Sequence, residues 1–316
     1  MTRPPVTLAV PCRTDEPALG RTLDLAWASW CAGPAATHAL EVLVCLNGDP
    51  GGRRGVTDVQ AFAAQRGVEA LLVDADAAAP PEWPAASTAP VVVGLCTARA
   101  GKAMAWNLLR RAARSPTIVF LDADVWLGAD TLGRLLTALE MASHTVLASA
   151  RTRCAPRPSW FEAVMAAPYA VDFPNLSPQL YAARAAALPD RMPEDLLEPE
   201  RWLELTVGAD RIVRAPGAEV VVRLPANLRD FFRQRIRIEL AKVQIAREHA
   251  PLLRRGAPQP ALGDVLRQVG PRGLARLGVY LGLRQSAHAV ARRWYARGRV
   301  ADVWRQAEST KRWDGT

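Results

Sequence analysis

Cysteine, histidine and long apolar runs are all scarce in this sequence of 316 residues. The five cysteines are scattered and no two form a Cys-x-x-Cys pair, so we expect reduced thiols and no zinc site. The longest apolar stretches, such as residues 277–283, fall far short of the ~20 residues that span a bilayer. Residues 1–5 contain no hydrophobic signal segment. We therefore expect a cytoplasmic protein that is soluble or lies on the inner face of a membrane.

The charge of the chain is unevenly distributed. The formal net charge is +9, and half of the residues are hydrophobic, which suffices for one large α/β domain or one domain with a helical extension. Residues 229–316 contain 19 basic and 7 acidic residues, a charge of +12, so residues 1–228 carry −3. This asymmetry indicates an anionic surface or ligand at the C-terminal end. An arginine-rich composition that only solvates helices explains it equally well.

Apolar runs typical of strands alternate with helical periodicity at the start of the chain. Strands are predicted at residues 6–11, 40–46 and 68–73, and helices at residues 19–30 and 56–65. This alternation is typical of a parallel, doubly wound α/β sheet. In such sheets, ligands bind at the edge formed by the carboxyl ends of the strands.

Two carboxylates follow the apolar run of residues 117–121. The run predicts a buried parallel strand, and Asp122 and Asp124 share one face if the chain stays extended. Carboxylate oxygens at the end of a buried strand suit Mg²⁺ or Mn²⁺, usually together with substrate phosphates. A helix predicted at residues 129–141 supports this interpretation. The alternative is that the Asp-x-Asp triplet only caps a helix or forms a solvated turn.

A Gly-Lys pair lies upstream of these carboxylates, where Gly101 and Lys102 open a predicted helix. A cation is unfavourable at a helix N-terminus, unless an anionic phosphate comes to it. Otherwise Lys102 is an ordinary surface lysine. Asp74 and Asp76 form a competing Asp-x-Asp pair, which we rank lower because no Gly-Lys pair precedes it.

The second half of the chain is predicted with shorter elements. We expect a strand at residues 145–150, a helical or extended segment at 179–187, and a helix from about Asp195 to Leu205. Residues 212–213 and 220–222 are predicted as short strands of a hairpin-like pair. The irregular loops at residues 77–90 and 151–178 contain no readable motif, and the first is either a substrate-side loop or a spacer.

The C-terminal quarter is predicted to be helical. Residues 228–248 form a long amphipathic helix, residues 255–262 a linker, and residues 263–304 a basic helical tail. A basic amphipathic tail lies on a membrane when it also has an apolar face. The candidates for that face are Leu274, Leu277, Leu281, Trp294 and Tyr295.

Taken together, the motifs resemble a non-processive family-2 glycosyltransferase of the GT-A fold. Residues 6–16 resemble the first strand and its turn, residues 101–107 the Gly-Lys segment, and residues 120–124 the Asp-x-Asp strand. Glu194-Asp195 resembles the acidic motif, and residues 233–237 resemble the Gln-x-x-Arg-Trp motif. The resemblance implies a Rossmann-like, mixed but mostly parallel sheet flanked by helices, with a C-terminal helical extension.

The resemblance also implies roles for particular residues. Asp122 and Asp124 would hold a divalent Mn²⁺ or Mg²⁺, with Asp122 also facing the ribose. Lys102 would meet the diphosphate of a nucleotide sugar. Asp195 would be the general base that deprotonates the acceptor hydroxyl, supported by Glu194. Without the resemblance, Glu194-Asp195 is more simply a helix N-cap pair.

Further contacts to the nucleotide sugar follow from the same resemblance. Gln234 and Arg237 would close over the diphosphate and the acceptor, although a solvated helix face explains them as well. The remaining residues expected to contact the nucleotide are Pro11, Asp15, Glu16 and Asn47.

The sequence departs from the family pattern at three places. Ile238 replaces the tryptophan of Gln-x-x-Arg-Trp, and no membrane spans follow, so a processive polymer synthase is not expected. Thr14-Asp15 stands where Asn-Glu is usual. Asn47-Gly48-Asp49 replaces the common Asp-Asp-Gly-Ser.

The sequence therefore predicts an inverting, metal-dependent glycosyltransferase. By resemblance, the donor is a UDP-sugar, and the basic tail indicates an acceptor that is anionic, lipid-linked or a secondary metabolite. Residues 1–250 would form the GT-A domain, with residues 1–125 binding the nucleotide sugar and 126–250 the acceptor, and residues 251–316 would form the extension. A nucleotidyltransferase is the alternative enzyme. A basic nucleic-acid-binding protein is the last alternative, and no nucleic acid is expected because no binding motif is present.

Overall fold

A computed structural model describes residues 3–48, 52–77, 83, 89–155, 159–171, 175–256, 262–298 and 308–310. Most of the loop predicted at residues 77–90 lies outside these ranges, as do Asp49, residues 156–158, 172–174 and 257–261, and the predicted tail beyond residue 298. Within the described ranges, nine strands form a single sheet with helices on both faces.

The sheet is mixed but mostly parallel. Its strands are β1 (Arg3–Arg13), β2 (His38–Asn47), β3 (Ala70–Asp74), β4 (Val91–Thr97), β5 (Thr117–Leu121), β6 (Trp126–Leu127), β7 (Leu147–Cys154), β8 (Leu180–Arg184) and β9 (Ile212–Val222). Their order is β3-β4-β2-β1-β5-β8-β7-β9-β6. The first five strands in that order are parallel, and β8 runs antiparallel to both β5 and β7. The predicted sheet is confirmed.

Eight α-helices are assigned among the described residues. They are α1 (Leu19–Cys31), α2 (Arg54–Ala64), α3 (Lys102–Ala112), α4 (Thr131–Met141), α5 (Trp160–Ala166), α6 (Pro199–Val207), α7 (Leu228–Glu248) and α8 (Leu262–Tyr295). Helix α8 is bent at Gly270, whose φ of 66° lies in the left-handed region, and Pro271 follows it. No described helix is both long enough and apolar enough to cross a membrane.

The alternation of side chains along the strands divides the core into two layers. On β1, Leu8 and Val10 pack with residues of α1, α2 and α4, whereas Ala9 packs with residues of α3 and α6. Because both faces of the central strands are covered, these strands are apolar at nearly every position rather than at every second one. This explains why the sequence shows continuous apolar runs there.

An aromatic stack fixes α3 on the sheet just behind the carboxyl end of β5. The rings of Trp106 and Phe120 are 5.3 Å apart, and those of Phe120 and Tyr181 are 5.1 Å apart. Trp106 Nε1 donates a hydrogen bond to the Tyr181 hydroxyl at 3.0 Å, so the buried polar atoms of both side chains are paired. The stack gives the start of α3 a rigid support.

The structure corrects the hairpin predicted from residues 212–213 and 220–222. Both segments belong to the single strand β9 and pair with the same parallel neighbour, β7. Between them, residues 214–219 of β9 lie opposite residues 149–151 of β7, which is a bulge. Pro216-Gly217 therefore lies in a β-bulge, and the chain does not reverse direction there.

Two other boundaries also differ from the sequence prediction. The ambiguous segment at residues 179–187 is the strand β8 followed by a short 3-10 turn. The helix predicted to begin near Asp195 begins at Pro199, since proline is favoured in a first helical turn and Asp195 lies in the preceding loop.

Helix α8 packs along α7 around one buried carboxylate. Glu239 is only 1% exposed, and it accepts hydrogen bonds from Arg235 (2.7 Å), Lys242 (2.9 Å) and Arg284 (3.1 Å). The Nδ1 atom of His288 lies 3.1 Å from the other carboxylate oxygen. We call these five residues the Glu239 cluster.

Apolar side chains complete the contact between the two helices. Leu277 packs against Phe231 and its neighbours, and Trp294 and Tyr295 pack beside Leu240. These are three of the five side chains predicted to face a membrane, whereas Leu281 is exposed. Most of the apolar face of the tail is therefore used within the protein.

The Glu239 cluster predicts a specific loss of stability in acid. Burial disfavours the charge of the Glu239 carboxylate, but Lys242 and Arg235 outweigh burial and lower its pKa from 4.5 to about 2. A carboxylate with a lowered pKa stabilises the fold above its unfolded pKa, and the contribution disappears as pH falls through the folded pKa. We expect Glu239→Gln to lower the free energy of unfolding at pH 7 by roughly 2 kcal/mol, allowing for solvent screening of the partly exposed cations.

Urea denaturation at stepped pH checks this expectation. The difference between wild type and Glu239→Gln should shrink as pH falls from 4.5 towards 2. Glu69→Gln, at an exposed position away from the contact between α7 and α8, is the control and should show a small effect. A difference for Glu239→Gln that is constant over this pH range would contradict the account.

Candidate active site

The predicted site residues meet at the edge where β1 and β5 end and β8 begins. Asp122 follows β5 directly, and its backbone N–H donates to the carbonyl of Gln179 at 2.9 Å. Strand β8 runs antiparallel to β5, so Pro178, just before β8, lies at the same edge as the end of β5. Pro11, near the end of β1, lines the same recess as Asp122 and Pro178. This is the edge at which ligands bind in open α/β sheets.

Lys102 is held at this edge by three oxygen atoms. Its Nζ lies 2.7 Å from Asp122 Oδ1 and 2.8 Å from Glu200 Oε1. It also donates to the carbonyl of Pro178 at 3.1 Å. An ammonium group has three protons, so each has one acceptor. We call Lys102, Asp122 and Glu200 the ion triad.

The backbone before Lys102 explains why glycine precedes it. Gly101 has φ of 144° and ψ of 137°, a conformation that side chains with a Cβ rarely adopt. This residue turns the chain into α3, so that Lys102 becomes its first residue. The ammonium thus lies at the helix N-terminus, where the two carboxylates offset the unfavourable dipole.

The charges of the triad are strongly coupled. Burial works against the Lys102 charge, but Asp122 and Glu200 outweigh it and raise the pKa of Lys102. Burial raises the pKa of Asp122 to about 6, and the charges of Glu200 and Asp124 act in the same direction against Lys102. The site therefore concentrates negative charge around one cation, which is an environment that favours a second cation.

Asp124 lies near Asp122, but not for the reason that the sequence suggested. Strand β5 ends at Leu121, and residues 122–125 form a turn rather than an extended segment. Strict alternation of side chains therefore does not place the two carboxylates on one face. They are nevertheless close enough for the charge of Asp124 to raise the pKa of Asp122.

Glu200 is a site residue that the sequence analysis missed. It lies in the first turn of α6 and is 6% exposed. The available signal was weak, because Glu194, Asp195, Glu198 and Glu204 are all nearby in the sequence. Only the three-dimensional path of the loop shows which of these carboxylates reaches Lys102.

The predicted acidic pair lies in the loop just before α6. The Glu194 carboxylate forms ion pairs with Arg99 and with Arg191, the latter at 2.8 Å. Since Arg99 precedes Lys102 by three residues, this contact places Glu194 beside the start of α3. Asp195 is exposed. Neither residue caps α6, which begins at Pro199.

Two amide side chains hold this acidic loop from opposite sides. Asn107 of α3 donates to the carbonyl of Met192 at 3.0 Å and accepts from its N–H at 2.9 Å. Gln244 of α7 donates to the carbonyl of Asp195 at 3.1 Å and accepts from the N–H of Leu197 at 3.2 Å. The segment that carries Glu194 and Asp195 is therefore fixed to both helices by its backbone.

Three predicted nucleotide contacts make local hydrogen bonds near the end of β1. Asn47 Nδ2 donates to the carbonyl of Cys12 at 2.7 Å. Glu16 accepts from the N–H of Ala18 at 3.2 Å, just before α1. Asp15 pairs with Arg13 at 2.9 Å. These bonds shape the turn after β1, and their roles towards a nucleotide stay predictions.

Gln234 and Arg237 lie one turn apart on α7, and both are partly buried. The same helix reaches the acidic loop through Gln244. The competing carboxylates have a structural role, since Asp76 accepts from Thr97 Oγ1 at 2.8 Å and from the N–H of Ala98 at 3.0 Å. Asp74 accepts from the N–H of Asp76 at 3.0 Å.

Comparison with known proteins supports the fold. No family model matches the chain, and no curated protein matches it. Among solved structures, it is similar to the mannosyltransferase PcManGT from Pyrobaculum calidifontis in complex with GDP-Man and Mn²⁺. The TM-score is 0.56, with 22% identity over 97% of this chain and 83% of that chain.

Two other solved structures match with lower TM-scores. TarS of S. aureus in complex with UDP matches with a TM-score of 0.47 and 14% identity, over 93% of this chain and 92% of that one. Glucosyl-3-phosphoglycerate synthase from Mycobacterium tuberculosis matches with a TM-score of 0.45 and 15% identity, over 81% of each chain. The similarity to PcManGT confirms the predicted GT-A fold.

The side chains of Asn107 and Gln244, which we call the amide clamps, are expected to restrict the motion of the acidic loop. Replacing Asn107 with leucine or Gln244 with methionine leaves backbone N–H and C=O groups of the acidic loop without partners. Each change should cost about 1–3 kcal/mol of stability. Hydrogen exchange of residues 192–197, followed by mass spectrometry, should become faster in both variants.

Gln285→Leu is the matched control, because Gln285 is an exposed amide on α8. It should leave exchange in residues 192–197 unchanged. Equal protection of this segment in wild type and in both clamp variants would show that the side chains do not hold the loop.

Proposed function

We propose that this chain is an inverting, non-processive glycosyltransferase that moves a sugar from a nucleoside-diphosphate sugar to an acceptor hydroxyl. The observation that carries the proposal is the ion triad at the ligand-binding edge of a GT-A fold. The motif resemblance also supports the proposal, because it assigns Lys102 to the diphosphate and Asp122 to the divalent ion of a nucleotide-sugar site.

The triad suits a diphosphate leaving group. Phosphate oxygens are acceptors for an ammonium group, and the N-terminus of a helix adds backbone N–H donors. Lys102 is at the start of α3, and a phosphate oxygen would take the place of one of its three present acceptors. Its contacts to Asp122 and Glu200 keep the ammonium charged and oriented before the donor binds.

Asp122 and Asp124 fit a divalent ion as a half-site. Mg²⁺ is commonly bound by one or two carboxylates together with substrate phosphates. Within the described ranges, no group of three or more His, Cys, Asp or Glu side chains is arranged to hold a metal ion. When bound, Mn²⁺ or Mg²⁺ would supply Lewis-acid stabilisation of the charge that develops on the diphosphate.

Asp195 is the general base of the proposal. It is exposed, whereas Glu194 beside it is engaged by two arginines. The clamps from Asn107 and Gln244 fix the backbone on both sides of it. A base that accepts a proton from an attacking hydroxyl must be held within hydrogen-bond reach, and these backbone hydrogen bonds would hold Asp195 in position for that role.

The donor nucleotide is expected to be uridine diphosphate, from the motif resemblance. PcManGT, which shares the fold, is in complex with GDP-Man, so guanosine is the competing base. Asp15, Glu16, Asn47, Gln234 and Arg237 are proposed to complete the donor site. Glu16 and Asn47 form hydrogen bonds near the end of β1, and Gln234 and Arg237 lie on α7.

Successive parts of the chain are proposed to bind the donor and the acceptor. Residues 1–125 would bind the donor, residues 126–250 the acceptor, and residues 251–316 would form a basic extension. Membrane contact of this extension would rest mainly on its exposed arginines, since Leu277, Trp294 and Tyr295 pack inward. Pelleting of the protein with anionic but not with neutral vesicles is the result that such contact predicts.

Asp124→Asn tests the metal half-site. We expect sugar transfer or donor hydrolysis to fall by about 100-fold or more, because the variant loses a charged metal ligand. The released product, measured with UDP- and GDP-sugars and Mn²⁺, should be the nucleoside diphosphate. Asp74→Asn, in the other Asp-x-Asp pair, should retain activity. Release of pyrophosphate would instead indicate a nucleotidyltransferase.

Asp195→Asn tests the general base. It should lower kcat by about 100- to 10,000-fold while leaving the KM for the donor nearly unchanged. Glu194→Gln should have a smaller effect, since Glu194 acts through its ion pairs. The product of the wild type should show inverted anomeric configuration by NMR. If Asp195→Asn kept the kcat of the wild type, Asp195 would not be the general base. Glu200 would then be the next carboxylate to test.

A further inference from the structure

The Glu239 cluster has more donors than its carboxylate can bind. One oxygen, Oε1, accepts from two nitrogens of Arg235 at 2.7 and 3.0 Å, from Lys242 at 2.9 Å and from Arg284 at 3.1 Å. A carboxylate oxygen has two lone pairs, so four donors exceed what it can satisfy fully. The cluster is therefore rich in N–H groups for its acceptors.

The basic side chains of the cluster are more exposed than its carboxylate. Glu239 is 1% exposed, whereas the side chains of Lys242, Arg284 and His288 are each 37% exposed. Arg284 bonds Glu239 through Nε alone. Within the described ranges, its two Nη atoms, the remaining Lys242 protons and His288 Nε2 have no assigned hydrogen bond.

The charge of the cluster is also unbalanced. Arg235, Lys242 and Arg284 surround Glu239, and the next carboxylate in electrostatic reach is Glu198, whose pKa burial raises. Burial and the charges of Arg235 and Arg284 lower the pKa of Lys242. Three cations therefore share two carboxylates, and an additional anion would relieve their mutual repulsion.

Glu198 and helix α7 connect the cluster to the candidate active site. Glu198 interacts electrostatically with Lys242 and also with Glu200 of the ion triad. Gln244, on the same helix as Lys242, holds the acidic loop that carries Asp195. The cluster and the acidic loop that carries Asp195 are therefore connected through α7.

From these observations we propose that Lys242, Arg284 and His288 form a binding site for a phosphate group of the acceptor. That the phosphate belongs to the acceptor rests on the proposed function, but the anion site itself does not depend on transfer activity. Guanidinium and ammonium groups are strong donors to phosphate, and the two Nη atoms of Arg284 are suited to bidentate binding. The phosphate belongs either to a soluble acceptor or to a lipid headgroup.

Titration of the full chain with inorganic phosphate, without nucleotide sugar, tests the site. The chain has four histidines, so the imidazole NMR signals are few, and His288→Gln identifies the one of interest. We expect phosphate to shift the His288 signal at constant ionic strength and pH. Arg284→Gln and Lys242→Gln should each weaken apparent phosphate affinity about tenfold, the effect of losing one charge-assisted hydrogen bond.

Arg276→Gln is the matched control, because Arg276 is an exposed arginine two turns earlier on α8. It should bind phosphate as the wild type does. An unshifted His288 signal, or equal affinity in wild type, Arg284→Gln and Lys242→Gln, would overturn the site. The Lys242 variant keeps the test valid if Arg284→Gln does not fold.

Two further arms identify the source of the phosphate and separate this inference from the proposed function. Phosphatidylcholine vesicles with phosphatidic acid should pellet wild type but not Arg284→Gln if the group is a lipid headgroup. Phosphate binding without such pelleting indicates a soluble acceptor, and both results support the site. Phosphate binding in a protein without transferase activity would defeat only the proposed function, whereas activity without phosphate binding would defeat only this site.

Discussion

The pairing of Lys102 with two carboxylates from distant parts of the chain is the interaction on which the site depends. Asp122 comes from the end of a central strand and Glu200 from the start of α6, and both contact the same ammonium. Removing Lys102 would be costly, since it would leave two largely buried carboxylates without their cation. The triad therefore fixes α3, β5 and α6 relative to one another as well as concentrating charge.

A second set of contacts carries this order outward to the acidic loop. Asn107 extends from the same helix as Lys102, and Gln244 extends from α7, so the loop between β8 and α6 is held between two rigid elements. Helix α7 is in turn joined to α8 through Glu239. One chain of polar contacts therefore links the candidate donor site, the proposed base and the basic C-terminal helix.

Much of this arrangement was readable from the sequence, and the failures have physical reasons. The apolar runs predicted the parallel sheet, and the Gly101-Lys102 and Asp122-x-Asp124 motifs predicted which side chains lie at its ligand edge. Glu200 could not be chosen from five nearby acidic residues, because loop geometry selects it. The strand β9 was misread, since Pro216-Gly217 signals a turn in sequence whereas pairing with β7 on both sides makes it a bulge. The apolar positions of α8 resembled a membrane face because periodicity does not distinguish lipid from a neighbouring helix.

The central claim is that the edge bearing the ion triad binds a nucleoside diphosphate together with a divalent ion. Calorimetric titration of UDP and GDP, with and without Mn²⁺, into wild type and Asp124→Ala tests this claim most directly. The account predicts that one of the two nucleotides binds in a metal-dependent manner and that the variant loses this binding. Binding that is indifferent to Mn²⁺ and to Asp124→Ala, or no binding of either nucleotide, would contradict it.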